Sequence, residues 1–254
     1  MILAVDVGNT NIVLGCIEDN EILFRERIYT NQLATDLEYA ANLKTAMEMH
    51  DITPKQISGA IISSVVPTMT GIFSAAIKKL IGVKPMVVGP GIKTGLSIVI
   101  DNPAQLGSDL VVDAVAGLSE YAPPMIIIDM GTATTLSVVD EKRRYIGGMI
   151  VTGMAVATDA LVSRTAQLPK FAFEKPQKVI GTNTVDCLKS GLMYSNACAL
   201  DGMCDRIEEE LGQKCTVIAT GGLASTVIPL CRRDIILDDD LLLKGLNVIY
   251  KKNI

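Results

Sequence analysis

Two stretches of the sequence join an aspartate to a glycine and to small polar side chains. The first runs from Asp6 to Asn11 and reads Asp-Val-Gly-Asn-Thr-Asn, and the second, from Asp129 to Thr135, reads Asp-Met-Gly-Thr-Ala-Thr-Thr. A turn that contains glycine lets backbone N–H groups approach anionic oxygens, because no Cβ stands in the way. The aspartate could hold hydrated Mg²⁺. One copy is more typical of an ordinary hairpin turn, whereas two copies favour a pair of phosphate-binding turns.

A third group, Gly107-Ser108-Asp109, offers a carboxylate that could act as a general base. Phosphoryl transfer depends mainly on positioning and charge neutralisation, and the accepting hydroxyl needs a base beside it. Gly107 permits close approach of a substrate, and Asp109 lies in an otherwise apolar helical stretch that also carries Asp113 one turn on. The alternative is that Asp109 is an ordinary carboxylate in the first turn of a helix.

The elements that must position these residues form a repeated pattern. Each Asp-x-Gly ends an apolar run and is followed by a second β-prone run, which predicts two β-hairpins. Each half then continues with an apolar strand that ends in small residues, Ser63-Ser64 or Thr220-Gly221-Gly222, before helical patterns at 68–80 and 223–230. Strands mixed with helices indicate an α/β architecture. We predict two related lobes, with the two turns facing each other across an interlobe cleft that is the default ligand site.

Further helices are predicted between and after these strands. Asn102 followed by Pro103 and Gln105 is typical of a helix start, and apolar residues recur at helical spacing up to Leu118. Asp240 is a candidate cap for a final helix that ends near Tyr250. We place the N-terminal lobe at residues 1–118 and the C-terminal lobe at 119–254.

Composition excludes several classes of function. A net charge of −5 gives no electrostatic reason to bind nucleic acid or an anionic membrane, and no apolar stretch is long enough to span a bilayer. The six cysteines form no CxxC pair and His50 is the only histidine, so zinc ligand spacing is absent and reduced thiols in a cytoplasmic protein are the better account. Acid–base chemistry is left to carboxylates.

Several motifs, in order along nearly the whole chain, resemble those of type III pantothenate kinases. Besides the stretches at 6–10, 107–109 and 129–135, they include Gly153 with Ala166-Gln167-Leu168-Pro169, Gly181-Thr182-Asn183-Thr184, Ala219-Thr220-Gly221-Gly222 and Leu243-Lys244-Gly245-Leu246. The resemblance implies an actin-like ATPase (ribonuclease H-like) fold and ATP-dependent phosphorylation of pantothenate, the first step towards coenzyme A. It further implies Mg²⁺, a monovalent cation (K⁺ or NH₄⁺) and a homodimer.

The resemblance also implies roles for individual residues. Asp109 would be the general base, Asp129 would bind the monovalent cation and Thr132 would contact an ATP phosphate. The first phosphate loop would comprise Asp6, Val7, Gly8, Asn9, Thr10, Asn11, Ile12 and Val13, with Asp6 also at the Mg²⁺. The pantothenate contacts would be Gly107, Ser108, Asp109, Leu110 and Thr184.

Two positions depart from the family pattern. Leu110 stands where the family usually has Arg, and Ile100 stands where an aromatic residue is common. Leucine cannot form the bidentate pair that arginine makes with a carboxylate, a loss of roughly 1.5–3 kcal/mol or about ten- to a hundredfold in affinity. This chain would therefore bind pantothenate more weakly, recruit another cation such as Arg164 or Lys189, or use a different acceptor. A nucleotide-binding regulator without turnover is the remaining alternative, and it would have no need of a base.

Overall fold

The computed structural model describes all 254 residues and divides the chain into two compact units. The first unit comprises Met1–Ser97, Asp101–Glu120 and Asp240–Ile254, and the second comprises Ile98–Ile100 and Tyr121–Asp239. Residues 240–254 thus belong to the first unit although they follow the second along the chain. The functional lobes with a boundary at 118/119, and the cleft between them, stay predictions. None of the helices has the length and apolar character needed to cross a membrane.

The first unit is built on a five-stranded sheet with the order β3-β2-β1-β4-β5. The strands are β1 (Ile2–Val7), β2 (Asn11–Glu18), β3 (Glu21–Tyr29), β4 (Gly59–Ser64) and β5 (Met86–Val87). The helices are α1 (Asp36–Glu48), α2 (Pro67–Ile81), α3 (Ser108–Glu120) and α7 (Leu241–Lys251). Side chains of the fully buried β1 alternate between two helix layers: Leu3 and Val5 pack towards α1 and α2, whereas Ile2 and Ala4 pack towards α3 and α7.

The second unit is built on a six-stranded sheet with the order β11-β10-β7-β8-β9-β6. The strands are β6 (Ser97–Ile98), β7 (Met125–Met130), β8 (Ala133–Val139), β9 (Arg144–Thr152), β10 (Thr216–Thr220) and β11 (Ile236–Leu237). The helices are α4 (Met154–Ser163), α5 (Thr184–Leu211) and α6 (Ala224–Val227). Apolar residues of β7 and β10 pack with the buried face of α5 to form the core.

The two sheets repeat the same topology, as the doubled motif predicted. In each unit a strand carrying the aspartate pairs antiparallel with the next strand and parallel with a later one. Asp6 lies opposite Ser63 of the parallel neighbour, and Asp129 lies opposite Thr220. The prediction of two hairpins in an α/β fold is therefore confirmed.

The predicted start of the third helix was wrong. Asn102 does cap, since its Oδ1 accepts the N–H of Ala104 at 3.2 Å, but it caps only a 3₁₀ turn over Pro103–Gln105. The extended ψ of 124° at Leu106 then breaks the helical path, and α3 begins at Ser108. The predicted helices at 68–80 and after Asp240 agree closely with α2 and α7.

Candidate active site

The first Asp-x-Gly turn is a tight loop between β1 and β2. The N–H of Gly8 donates to the carbonyl of Asn11 at 3.1 Å, and a Cβ at position 8 would lie only 2.8 Å from that oxygen. Glycine is therefore required for the turn to close. The side chains of Asn9, Thr10 and Asn11 are exposed, so their amide and hydroxyl groups are accessible to a ligand.

Thr30, at the end of β3, supports this turn from behind. Its hydroxyl donates to the carbonyl of Gly8 at 2.7 Å, and its N–H donates to the carbonyl of Thr10 at 2.9 Å. Only 5% of Thr30 is exposed, so the donor side of both hydrogen bonds lies inside the protein. Sequence reasoning missed this residue, because nothing in the local pattern at 30 indicates a contact with a turn some twenty residues earlier.

The strand residues around the first turn differ in what they can offer a ligand. Val7 and Ile12 are fully buried in the core, so only their backbone groups could contact a phosphate, and Val13 is half-buried. Asp6 lies near the end of β1 that leads into the turn, and only 7% of its surface is exposed. A carboxylate oxygen is the hard ligand that Mg²⁺ prefers, so its chemistry fits the predicted role.

The second Asp-x-Gly turn joins β7 and β8 in the second unit. The N–H of Gly131 donates to the carbonyl of Ala133 at 3.0 Å, and the side chain of Thr132 is exposed. Behind the turn, the N–H of Gly153 donates to the carbonyl of Thr132 at 3.2 Å. A Cβ at Gly153 would overlap the carbonyl oxygens of Gly131 and Thr132, so glycine is needed where α4 begins.

The half-buried carboxylate of Asp129 lies beside Gly221, directly after β10. Gly221 has a φ of +97°, and a Cβ there would lie 2.5 Å from Oδ1 of Asp129. The glycine therefore lets the chain after β10 lie close to this carboxylate and to the backbone nitrogen of Met130, which a Cβ would also meet at 2.5 Å. The carboxylate oxygen is a donor of the kind that would suit the monovalent cation that the family resemblance implies for Asp129.

Asp109 occupies the first turn of α3 in the first unit, and its side chain folds back onto the helix start. Its Oδ1 accepts the N–H of Leu110 at 2.8 Å. Burial raises the pKa of the Asp109 carboxyl above its ordinary value, against the opposing effect of the N–H groups of Leu110 and Asp109 itself. A carboxylate with a raised pKa is a stronger base than an exposed one, which suits it to accept a proton from a hydroxyl.

The predicted substrate contacts lie in both units. Gly107 and the half-buried Leu110 flank Ser108 and Asp109 at the start of α3, in the first unit. Thr184 is the exposed first residue of α5, in the second unit, with Asn183 as its cap. Of the two cations considered as substitutes for the missing arginine, Lys189 already pairs with Glu174 at 3.2 Å.

Within the first unit, the structure brings the Gly8 turn and the candidate base onto one framework. β1 carries Asp6 and leads into the Gly8 turn, its parallel neighbour β4 ends at Ser64, and Ser108 at the start of α3 contacts the end of β4. Asp129, Thr132, Gly153 and Gly221 form a second group within the second unit. Each unit thus presents one glycine turn next to one aspartate.

Two solved structures share the fold of this chain. The (R)-2-hydroxyglutaryl-CoA dehydratase component A of Acidaminococcus fermentans matches with a TM-score of 0.59 at 16% identity, covering 99% of this chain and 98% of that one. The activator of the 2-hydroxyisocaproyl-CoA dehydratase from Clostridium difficile, solved with bound ADPNP, matches with a TM-score of 0.58 at 12% identity, covering 98% and 93%. The protein is accordingly an α/β protein with the actin-like ATPase fold.

Sequence relatives narrow this class to one family. The sequence model of type III pantothenate kinase matches residues 2–206. The type III pantothenate kinase of Halalkalibacterium halodurans is 42% identical over 254 residues, and that of Moorella thermoacetica is 40% identical over 253, with 100% of each chain covered in both cases. The chain belongs to the type III pantothenate kinase family.

Proposed function

We propose that this protein transfers the γ-phosphoryl group of ATP to the primary hydroxyl of pantothenate, the first step of coenzyme A biosynthesis, with Asp109 as the general base. Membership of the family supports the reaction. The observation that supports the base is the placement of Asp109: a partly shielded carboxylate, held by the N–H of Leu110, with a pKa raised by burial. A base of this kind is most useful when its pKa approaches the working pH.

The other residues of the site position the reactants and balance charge. The Gly8 turn donates backbone N–H groups to ATP phosphates, helped by the exposed side chains of Asn9 and Thr10, and Thr132 donates its hydroxyl to a phosphate. Asp6 would hold Mg²⁺ and Asp129 the monovalent cation, and these cations supply positive charge against the phosphate oxygens when bound. Asp109 accepts the proton of the attacking hydroxyl.

Asp109→Asn tests the assignment of the base. The amide keeps the shape of the side chain but cannot accept the proton, so we expect kcat to fall by about 10²–10⁴-fold with little change in the KM for ATP. In the unaltered protein, the fall of kcat/KM on the acidic side should be centred above pH 3.8, because burial raises the pKa of Asp109 in the folded protein. Glu120→Gln, which neutralises an exposed carboxylate at the other end of α3, is the matched control. Full activity of Asp109→Asn would remove the assignment.

Leu110 favours a second candidate, in which the preferred acceptor lacks a carboxylate. An apolar side chain at this position gives no charge-assisted bond to the pantothenate carboxylate. Comparing kcat/KM for pantothenate with that for panthenol, its neutral alcohol analogue, separates the two candidates. A ratio well above one supports pantothenate, with the carboxylate bound elsewhere, whereas a ratio below one supports the neutral acceptor.

A second copy of the chain is the proposed partner, as the sequence resemblance implies. Large apolar side chains are exposed along β9 and α4 of the second unit, including Met149, Ile150, Val156 and Leu161. Such a surface is typical of a protein–protein contact. Sedimentation should show a dimer that Ile150→Asp converts to a monomer, and an unaltered protein that sediments as a monomer would contradict this. The cytoplasmic location stays a prediction.

A further inference from the structure

We propose that the hydroxyl of Ser108 positions the Asp109 carboxylate for catalysis by fastening the first residue of α3 to the end of β4. This inference rests on the proposed role of Asp109 as base. The Ser108 hydroxyl donates to the carbonyl of Ser64 at 3.0 Å and accepts the N–H of Ser64 at 3.1 Å. It also accepts the hydroxyl of Ser63 at 3.0 Å.

These three hydrogen bonds use the whole capacity of the Ser108 hydroxyl. A serine hydroxyl has one donor and two acceptor sites, and all three are engaged within the protein. Ser63 is fully buried, with 0% exposure, so its bond to Ser108 does not compete with water. The side chain of Ser108 therefore holds the helix start, and any contact with a substrate at this position is left to its backbone.

β4 carries this attachment to the phosphate turn. It runs parallel to β1 with Asp6 opposite Ser63 and Val7 opposite Ser64, and the N–H of Val65 donates to the carbonyl of Val7 at 3.1 Å. Because β1 leads directly into the Gly8 turn, the Ser108 hydroxyl fixes the base relative to the residues that would bind the phosphates. A base must lie within hydrogen-bond reach of its proton, so small errors in this distance are costly.

Gly107 completes the arrangement on the other side of the carboxylate. A Cβ at position 107 would overlap Oδ1 of Asp109, the same oxygen that accepts the N–H of Leu110. The carboxylate thus occupies the space that the glycine leaves open. Ser108 holds the helix start in place, and Gly107 lets the side chain fold onto it.

Ser108→Ala is the central test, measured beside Ser108→Thr and Ser119→Ala. Alanine removes all three hydrogen bonds, threonine keeps a hydroxyl, and Ser119 carries a similar hydroxyl at the far end of the same helix. We expect kcat of Ser108→Ala to fall by about 10- to 100-fold, with the KM for ATP nearly unchanged, because a displaced base lowers the rate rather than nucleotide binding. Ser108→Thr should recover most of the activity, and Ser119→Ala should behave like the unaltered protein.

The pH profile separates positioning from a merely structural role. A carboxylate released from its fixed place gains hydration, so its pKa falls towards 3.8 and the acidic limb of kcat/KM should move to lower pH in Ser108→Ala. A double-mutant cycle with Asp109→Asn adds a second criterion. If Ser108 acts through Asp109, the double variant should be no slower than Asp109→Asn alone.

Each outcome has a distinct meaning. A slow Ser108→Ala with a shifted limb and no additional loss in the double variant supports the inference. The inference is wrong if the activity losses of the two single variants multiply in the double variant, if the acidic limb of kcat/KM does not move, or if Ser108→Ala is fully active. In each of these cases the base assignment is still supported if Asp109→Asn has lost its activity. Full activity of Asp109→Asn would overturn both. If Ser108→Ala does not fold, Ser63→Ala replaces it, since it removes the hydrogen bond that Ser63 donates to the Ser108 hydroxyl. The same lower kcat and shifted limb, in smaller measure, are then expected, and full activity with an unmoved limb would overturn the inference.

Discussion

The two units use one strand framework for two different purposes. In both, an aspartate on the central strand lies opposite a hydroxyl residue of the parallel neighbour, Ser63 for Asp6 and Thr220 for Asp129. The next residue differs, because it is Ser64 in the first unit and Gly221 in the second. The N–H and carbonyl of Ser64 bond the side-chain hydroxyl of Ser108, on the helix that carries Asp109, whereas the backbone of Gly221 lies close to the Asp129 carboxylate. The hydroxyl of Ser108 thus anchors a helix to the first strand end, whereas the second strand end brings a glycine backbone close to its aspartate.

The units also hold their helices by different forces. In the first unit, α7 approaches α3 so closely that a Cβ at Gly245 would overlap the carbonyl of Val112. In the second unit, the nearly buried carboxylate of Glu208 on α5 binds Lys214 and Arg233, each at 2.7 Å, and accepts the N–H of Cys215 at 3.0 Å. Close backbone packing stabilises the first helix pair, and a polar network ties α5 to the chain around it.

Glu208→Gln should have the largest effect on this contrast, because it weakens the polar network of the second unit. Burial alone would raise the pKa of Glu208, but the bonds from Lys214, Cys215 and Arg233 lower it from 4.5 to about 2. Removing the charge leaves the Arg233 guanidinium with only the longer ion pair to the exposed Asp205, at 3.6 Å, so we expect the free energy of unfolding at pH 7 to fall by about 3–5 kcal/mol in denaturant titrations.

The stability that Glu208 contributes should depend on pH in a definite direction. A carboxyl whose pKa is depressed by folding contributes stability above its unfolded pKa and loses it as pH falls towards the folded value. The gap between the unaltered protein and Glu208→Gln should therefore be full above about pH 4.5 and narrow as the pH falls towards 2. Glu209→Gln, its exposed neighbour, is the control, and equal stability losses in the two variants would contradict the network.

Gly221→Ala should sharpen the comparison at the open strand end. Alanine brings a Cβ to 2.5 Å from Oδ1 of Asp129 and from the backbone nitrogen of Met130, so the carboxylate and the end of its strand must shift. We expect kcat to fall about a hundredfold and its stimulation by K⁺ to be lost, as followed by kcat against K⁺ concentration. Gly212→Ala is a matched control, because its φ of +67° imposes similar backbone strain while no atom lies within 4 Å of the added Cβ. Identical behaviour of both variants would assign the effect to strain alone.

Thr30→Val should have the smallest effect, confined to the turn of the first unit. Valine keeps the volume but removes the hydroxyl that donates to the carbonyl of Gly8. One hydrogen bond is worth about 0.5–1.5 kcal/mol, so the KM for ATP should rise by about three- to tenfold with kcat nearly unchanged. Thr45→Val, on the exposed face of α1, provides the control. An unchanged KM would show that the turn does not need this support.

The sequence predicted the features that depend on local pattern. Apolar strands ending in Asp-x-Gly, and the small residues at 63–64 and 220–222, indicated both hairpins and the repeat of the sheets, because side-chain alternation and turn chemistry are local. The start of α3 was misplaced because Asn102 and Pro103 carry a true helix-start signal, which here serves a 3₁₀ turn. Local pattern alone could not reveal that α3 would begin only at Ser108.

Contacts between distant segments lay beyond the sequence. The support of the Gly8 turn by Thr30 and the attachment of Ser108 to Ser63 join residues 22 and 45 positions apart. The packing of residues 240–254 within the first unit is likewise set by tertiary contacts of α7 with α3. The predicted ligand contacts of Asp6, Asp129, Thr132 and Thr184 stay predictions, supported by where these residues lie.

The route of the chain has a consequence for synthesis on the ribosome. The helix that bears Asp109 packs through Val112 and Val115 against Leu243, Leu246 and Ile249, which are translated only after the whole stretch from 121 to 239. The first unit begins to emerge from the ribosome earliest but is thus completed last. The second unit can therefore fold before it. A nascent chain halted before residue 240 would carry every residue of the proposed chemistry, with its base on a helix that still lacks the packing of α7.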